Sequence, residues 1–108
     1  MDVFYALAEP RRRRIIEILA QNGKLTATEI CDNFRITPQA ISQHLKILLD
    51  AKILHVEKNA QQRIYQINPS SMKEIERWTQ SMESLLNKRF DRLDKVLKAE
   101  MKKSAKKR

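Results

Sequence analysis

Residues 25–54 read LTATEICDNFRITPQAISQHLKILLDAKIL, and the periodicity of this stretch decides the fold. Thr26-Ala27-Thr28-Glu29 is a capping box, in which the Thr26 hydroxyl accepts from the Glu29 backbone N–H and the Glu29 carboxylate reaches back. The helix it opens turns Ala27, Ile30, Cys31 and Phe34 inward. Arg35-Ile36 makes a turn. Thr37-Pro38 then restarts a helix in the favoured order, N-cap followed by proline in the first turn. Ile41, Leu45, Leu48 and Leu49 follow at i, i+4, i+7 and i+8, the inner stripe of that second helix. Gln39, Ser42, Gln43 and Lys46 fall on its other side. Two short helices around a tight turn, with hydrogen-bonding side chains outermost on the second, suit a helix laid across base edges in DNA.

Working outward, Val3, Phe4 and Leu7 form a short apolar stripe closed by Glu9-Pro10. Ile15, Ile18 and Leu19 give the core face of a further helix ending near Asn22-Gly23, and Gly23, the chain's one glycine, sits where a left-handed C-terminal cap is wanted. After Ala51-Lys52 the period changes. Residues 53–58 and 63–68 read as two short strands joined through Asn59-Ala60-Gln61-Gln62, with Asn59 expected in the left-handed turn position. Ser71-Met72-Lys73-Glu74 is a second capping box. Beyond it Ile75, Trp78, Met82, Leu85, Leu86, Phe90, Leu93, Leu97 and Met101 recur at three-and-four spacing, a helix about 45 Å long at roughly 1.5 Å per residue if continuous.

The order is therefore helix, helix, helix, turn, helix, two-stranded wing, long helix. That is a mainly α (α+β) winged helix-turn-helix, read as a single domain over residues 1–101. The recognition helix is expected at about 37–51, the wing at 53–68, a C-terminal dimerisation helix at 71–101 and a basic tail at 102–108.

Composition agrees. The 108 residues carry 22 Lys+Arg against 13 Asp+Glu, a net charge of +9, which favours a polyanionic partner, either nucleic acid or an acidic membrane surface. One glycine and three prolines argue against a turn-rich all-β fold. A single cysteine, Cys31, rules out an internal disulfide framework and suits a reducing cytosol. No apolar run reaches the roughly 18–20 residues that insert into a membrane. MDVFYALAEP has no basic stretch ahead of its apolar part, so no secretory leader is read there. A soluble cytoplasmic protein is expected. No paired carboxylates, nucleophile–base set, phosphate loop or metal cluster can be assembled, so neither an enzyme nor a cofactor is expected.

The segments FYALAEPRRRRIIEIL, TATEICDNFRITPQAISQHLKILLDAKIL, RIYQINP and ERWTQSMESLLNKRFDRLDKVL together resemble the arsenical-repressor (ArsR/SmtB) family of bacterial and archaeal transcription regulators. The resemblance runs to about Ala99 and is carried most strongly by Ala40 to Lys46 and Ala8 to Arg14. It implies a homodimeric, nucleoid-associated repressor of double-stranded operator DNA with its recognition helix at residues 37–50. Gln39, Ser42, Gln43 and Lys46 are then the base-reading side chains, since glutamine can pair bidentately with adenine. Thr37 and the helix start can hold a phosphate, and the Ala40 methyl is short enough to admit a thymine methyl. His44 has two readings, a phosphate contact or a structural hydrogen bond.

Lys58, Gln61, Gln62 and Arg63 are the wing's DNA contacts, although family wings commonly carry glycine and more arginine than this one. Arg11 to Arg14 place four cations at a helix start, where the macrodipole disfavours them. Arg12 and Arg13 are taken as phosphate contacts, the others as solvated or paired. The basic tail is a solubilising extension or a source of non-specific DNA affinity.

Dimerisation is expected through the first and last helices, with Phe4, Leu7, Trp78, Met82, Leu85 and Leu86 at the interface; Trp78 could alternatively pack on its own core. Metal sensors of this family use Cys-x-Cys-Asp on the helix before the recognition helix. Thr26 and Thr28 stand at the thiolate positions here, and hydroxyls are poor ligands for soft metals. The resemblance is thus to a metal-independent, autorepressor-like subgroup, with a protein or an unknown small molecule as possible inducer. Cys31 lies on an apolar face as an inert thiol or, failing that, a redox switch. The competing reading is a non-specific architectural DNA-binding protein.

Overall fold

The computed structural model of the chain describes residues 2–106, with side chains through Lys102. Its elements are α1 (Val3–Leu7), α2 (Pro10–Asn22), β1 (Lys24–Thr26), α3 (Ala27–Cys31), α4 (Pro38–Asp50), β2 (Leu54–Asn59), β3 (Gln62–Ile67) and α5 (Pro69–Lys106). Among the described residues, no helix is long and apolar enough to cross a membrane.

Side-chain acceptors set the helix starts by meeting N–H groups that have no partner within the helix. Asp2 accepts from the Phe4 N–H (3.2 Å), and the Glu9 carboxylate accepts from the Arg12 N–H (3.0 Å). Thr26 and Glu29 form the reciprocal box expected, at 3.2 and 3.1 Å. Thr37 accepts from the Ala40 N–H at 3.2 Å, with Pro38 opening α4. Gly23 ends α2 at φ +84°, a conformation that side chains disfavour, and its N–H donates to the Leu19 carbonyl at 2.7 Å.

The sheet is antiparallel with order β1-β3-β2. It has three strands where the sequence suggested a two-stranded wing. β1 is too short for alternation to show, and it is defined by its distant partners, with Leu25 opposite Tyr65. The β2–β3 register runs from Leu54 opposite Ile67 to Asn59 opposite Gln62. That last rung leaves Ala60-Gln61 as the turn, so the left-handed residue is Ala60 (φ 58°) and not Asn59.

Two features of the loops flanking the sheet were not foreseen. α4 ends in a Schellman motif. Lys52 has left-handed φ (60°), its N–H donates to the Leu49 carbonyl (2.9 Å), and the Ile53 N–H donates to Leu48 (3.0 Å). Asn68 then clamps that turn, its side-chain amide donating to the Lys52 carbonyl at 2.8 Å and its N–H to Ile53 at 2.8 Å. The second feature is the start of α5. Ser71 is not its N-cap, because Pro69 takes the first helical position and the Asn68 side chain accepts from the Ser70 N–H (3.1 Å). Ser71 is buried, and its hydroxyl donates to the Asn68 carbonyl at 2.7 Å.

The chain divides into two units, Met1–Ile75 and Glu76–Arg108. The first holds the core, in which Ile15, Leu19, Ile30, Ile41, Leu45 and Leu48 are essentially fully buried. These come from α2, α3 and α4, so the two helices of the quoted stretch are fixed to α2 by their inner faces. In the second unit, the described residues are the continuation of α5. Leu85, Leu86, Phe90, Leu93, Val96, Leu97 and Met101 are each more than half exposed along it. The helix continues through Lys106; Lys107, Arg108 and the side chains from 103 onward, the end of the expected basic tail, lie outside the described residues.

Candidate nucleic-acid interface

α4 has two unlike sides. Ile41, Leu45 and Leu48 are buried, whereas Thr37, Gln39, Ser42, Gln43 and Lys46 are exposed and Ala40 is half-buried between them. Burial of the inner stripe fixes the helix's rotation, so the polar set presents itself to solvent as a group. Amides, a hydroxyl and an ammonium there can donate and accept at base edges, which an apolar or purely cationic face could not.

The structure brings the wing to the start of α3. Thr26, Ala27, Thr28 and Glu29 form one wall of an open cleft of about 640 Å³, and Gln61, Gln62 and Arg63 form the other. The wing side chains read from the sequence thus share a neighbourhood with the α3 start, a juxtaposition that pairing of β1 with β3 creates. Lys58 and Arg63 are register partners, two exposed cations directly opposite each other. Like charges in that arrangement repel. A phosphate between or beside them would relieve the repulsion. Arg13, on α2, is also exposed.

Arg12 corrects the sequence reading. It is 7 % exposed, with its guanidinium turned inward. Nε donates to the Ala6 carbonyl at 2.7 Å and Nη2 to the Tyr5 carbonyl at 3.3 Å. Its Cζ lies 5.6 Å from the centroid of the Tyr5 ring. Nη1 lies 3.4 Å from His44 Nδ1. Arg12 is thus turned into the fold, not out to solvent where a phosphate contact was expected. The spacing carried the signal: Arg12, Ile15 and Leu19 fall at i, i+3 and i+7, which places Arg12 on the buried stripe of α2. Of its neighbours, Arg14 makes an exposed pair with Glu17 (3.4 Å).

His44 faces the same cluster, with its side chain 15 % exposed and Nδ1 3.9 Å from Glu9 Oε2. Partial burial alone would raise the Glu9 carboxyl. The Arg12 N–H, the neighbouring His44, the Arg11 N–H and the Arg12 charge outweigh it and hold Glu9 below the ordinary glutamate value. Tyr5 and Glu9 were missed as participants; Glu9 carried a local signal, since it directly precedes Pro10 and its side chain caps α2, whereas its approach to His44 is tertiary.

Cys31 is a free, half-buried thiol beside the core. Thr26 Oγ1 is committed to the α3 cap, and Thr28 is exposed. Among the described residues no three His, Cys, Asp or Glu side chains group as a metal site would need.

A helix-turn-helix with an exposed polar face on its second helix, flanked by an antiparallel wing, defines the winged helix-turn-helix class of DNA-binding proteins. Residues 7–57 match a family model described as a helix-turn-helix domain. The chain is 32 % identical over 77 residues to the transcriptional repressor SdpR of Bacillus subtilis, covering 71 % of this chain and 84 % of that protein. It is 37 % identical over 65 residues to an arsenical resistance operon repressor of the same organism, covering 60 % of this chain and 62 % of the relative. The crystal structure of an ArsR family transcriptional regulator superposes with a TM-score of 0.73 at 25 % identity, over 79 % of this chain and 87 % of that one. The chain belongs to the ArsR family of winged helix-turn-helix transcriptional regulators.

Proposed function

We propose that this chain is a homodimeric repressor that reads a specific operator and whose release is not triggered by a metal. The observation that carries the reading is the split of α4, with Gln39, Ser42, Gln43 and Lys46 exposed together over a buried Ile41-Leu45-Leu48 stripe. Thr37, Lys58, Gln61, Gln62, Arg63 and Arg13 supply phosphate or groove contacts around that centre.

One winged unit spans few base pairs, so specificity calls for two copies about 34 Å apart along the duplex. The exposed stripe of α5 favours a second copy as its cover, with Trp78, Met82, Leu85 and Leu86 joined by Phe4 and Leu7 of α1. Release independent of metal rests on the donor set: two relatives are named arsenical resistance operon repressors, yet hydroxyls occupy residues 26 and 28 here and one already caps a helix.

The net charge of +9 favours a second reading, a non-specific architectural protein. Selection of bound duplexes from a random pool separates the two. The repressor reading expects enrichment of two related half-sites about one helical turn apart. A pool that stays random after repeated rounds would leave the architectural reading in its place.

A further inference from the structure

We propose that Arg12 is a positioning residue for DNA reading, a clamp that ties the C-terminal end of α1 to the middle of the recognition helix through His44. The inference rests on reading α4 as that helix. Three observations carry it. Arg12 turns three separate nitrogens to three separate partners: it donates to Ala6 O at 2.7 Å and Tyr5 O at 3.3 Å, and its Nη1 lies 3.4 Å from His44 Nδ1. The first two belong to α1 and the third to α4, so one rigid planar group spans both elements. The guanidinium is held from a further side by the Tyr5 ring, and its own backbone N–H is anchored on Glu9 Oε2 at 3.0 Å.

The chemistry has a direction. α1 is only five residues long, and its last carbonyls have no partner within the helix. Arg12 satisfies the Ala6 carbonyl and shares the Tyr5 carbonyl with the Ala8 N–H (3.2 Å), which fixes the guanidinium before His44 is considered. Nδ1 accepts from Nη1 in the tautomer that carries its proton on Nε2, and Glu9 Oε2, 3.9 Å away, faces the same nitrogen. His44 is followed directly by buried Leu45 and preceded by the exposed Gln43. A contact at this point adds a directional polar restraint, on the flank of α4, to the rotation that burial of Ile41, Leu45 and Leu48 sets, and so sharpens the angle at which Gln39, Gln43 and Lys46 are presented. The clamp therefore acts on the geometry of reading and makes no contact with DNA.

The test uses the full chain with two duplexes of equal length, one selected from a random pool by the wild type and one unrelated. Arg12→Lys keeps the charge but cannot span three partners, and His44→Phe keeps a ring at the half-buried site while removing the nitrogen that faces Arg12, which gives a second variant if Arg12→Lys fails to fold. Each should lower affinity for the selected duplex about tenfold, the scale of losing a hydrogen bond to a charged group, with little change on the unrelated duplex. The slope of log affinity against log salt should stay at its wild-type value, because no phosphate contact is lost. The double variant should cost no more than the larger single one, since both break the same contact.

A slope reduced by about one would make Arg12 a phosphate contact and overturn the clamp. So would equal losses on both duplexes, an unchanged ratio, or additive effects. Gln43→Ala on the same pair reports separately on the underlying reading. If it leaves the ratio intact while the clamp variants lower it, α4's polar face is not the reader, and the proposal falls with that reading.

Discussion

At the scale of single residues, the polar face of α4 and the cations of the wing have different tasks and should be separable. Gln43 is exposed on a helix whose rotation is fixed by burial of Ile41 and Leu45. Gln43→Ala should narrow the gap between the best duplex and its single-base variants by about 1–3 kcal/mol at the base it reads. Arg63 sits opposite Lys58 in the wing. Arg63→Ala should weaken every duplex alike and lower the salt slope by about one, measured by titration at several salt concentrations. The polar face was legible from spacing alone, because a buried stripe at i, i+4 and i+7 dictates what lies opposite. Arg12 was not read correctly, since four consecutive arginines look alike in charge, and only the register with Ile15 and Leu19 separates the buried one.

At the scale of elements, caps were legible where a short polar side chain precedes a periodic run, as at Thr26 and Thr37. They were misread where proline competes, as at Pro69 ahead of Ser71, and went unread where a non-glycine residue takes positive φ. Lys52 is of the second kind: the Schellman turn needs φ near +60°, and a lysine gives no warning of it. Lys52→Val, β-branched at that position, should cost about 1–2 kcal/mol in chemical denaturation, whereas Lys52→Gly should cost nothing. β1 stayed hidden because three residues hold no periodicity; the strand exists through its pairing with β3. Along α5 the stripe also carries an eleven-residue repeat, with Ile75, Leu86 and Leu97 in one register and Met82 and Leu93 in another. That period exceeds 3.6 residues per turn. Helices that bury such a stripe run nearly straight or with a slight right-handed twist, unlike a heptad pair.

At the scale of the whole molecule, stability and assembly give two further expectations. Glu9 titrates below the ordinary glutamate value, so its contribution to stability is complete above that value and disappears as pH falls through the lower, folded one. Glu9→Gln should therefore flatten the loss of stability below about pH 4.3, read from thermal unfolding across the acid range. Replacing Leu86 and Leu93 together with Glu places charge in the exposed stripe of α5. In sedimentation, the wild type should be a dimer and this variant a monomer with unchanged helix content. A wild-type monomer would remove the two-copy reading of the operator. The fold class was legible because caps, turns and both hydrophobic periods agreed along the chain. The partner of α5 was not, because one copy's sequence shows a stripe without showing what covers it.

The central claim is sequence-specific reading by α4, and it is tested most directly by the ratio of two affinities. The wild-type protein is titrated, at one salt concentration near physiological, onto its selected duplex and onto a scrambled duplex of the same length and composition. A repressor that reads bases through Gln39, Ser42, Gln43 and Lys46 should favour the selected duplex by about a thousandfold or more. Equal affinity for the two would contradict the account.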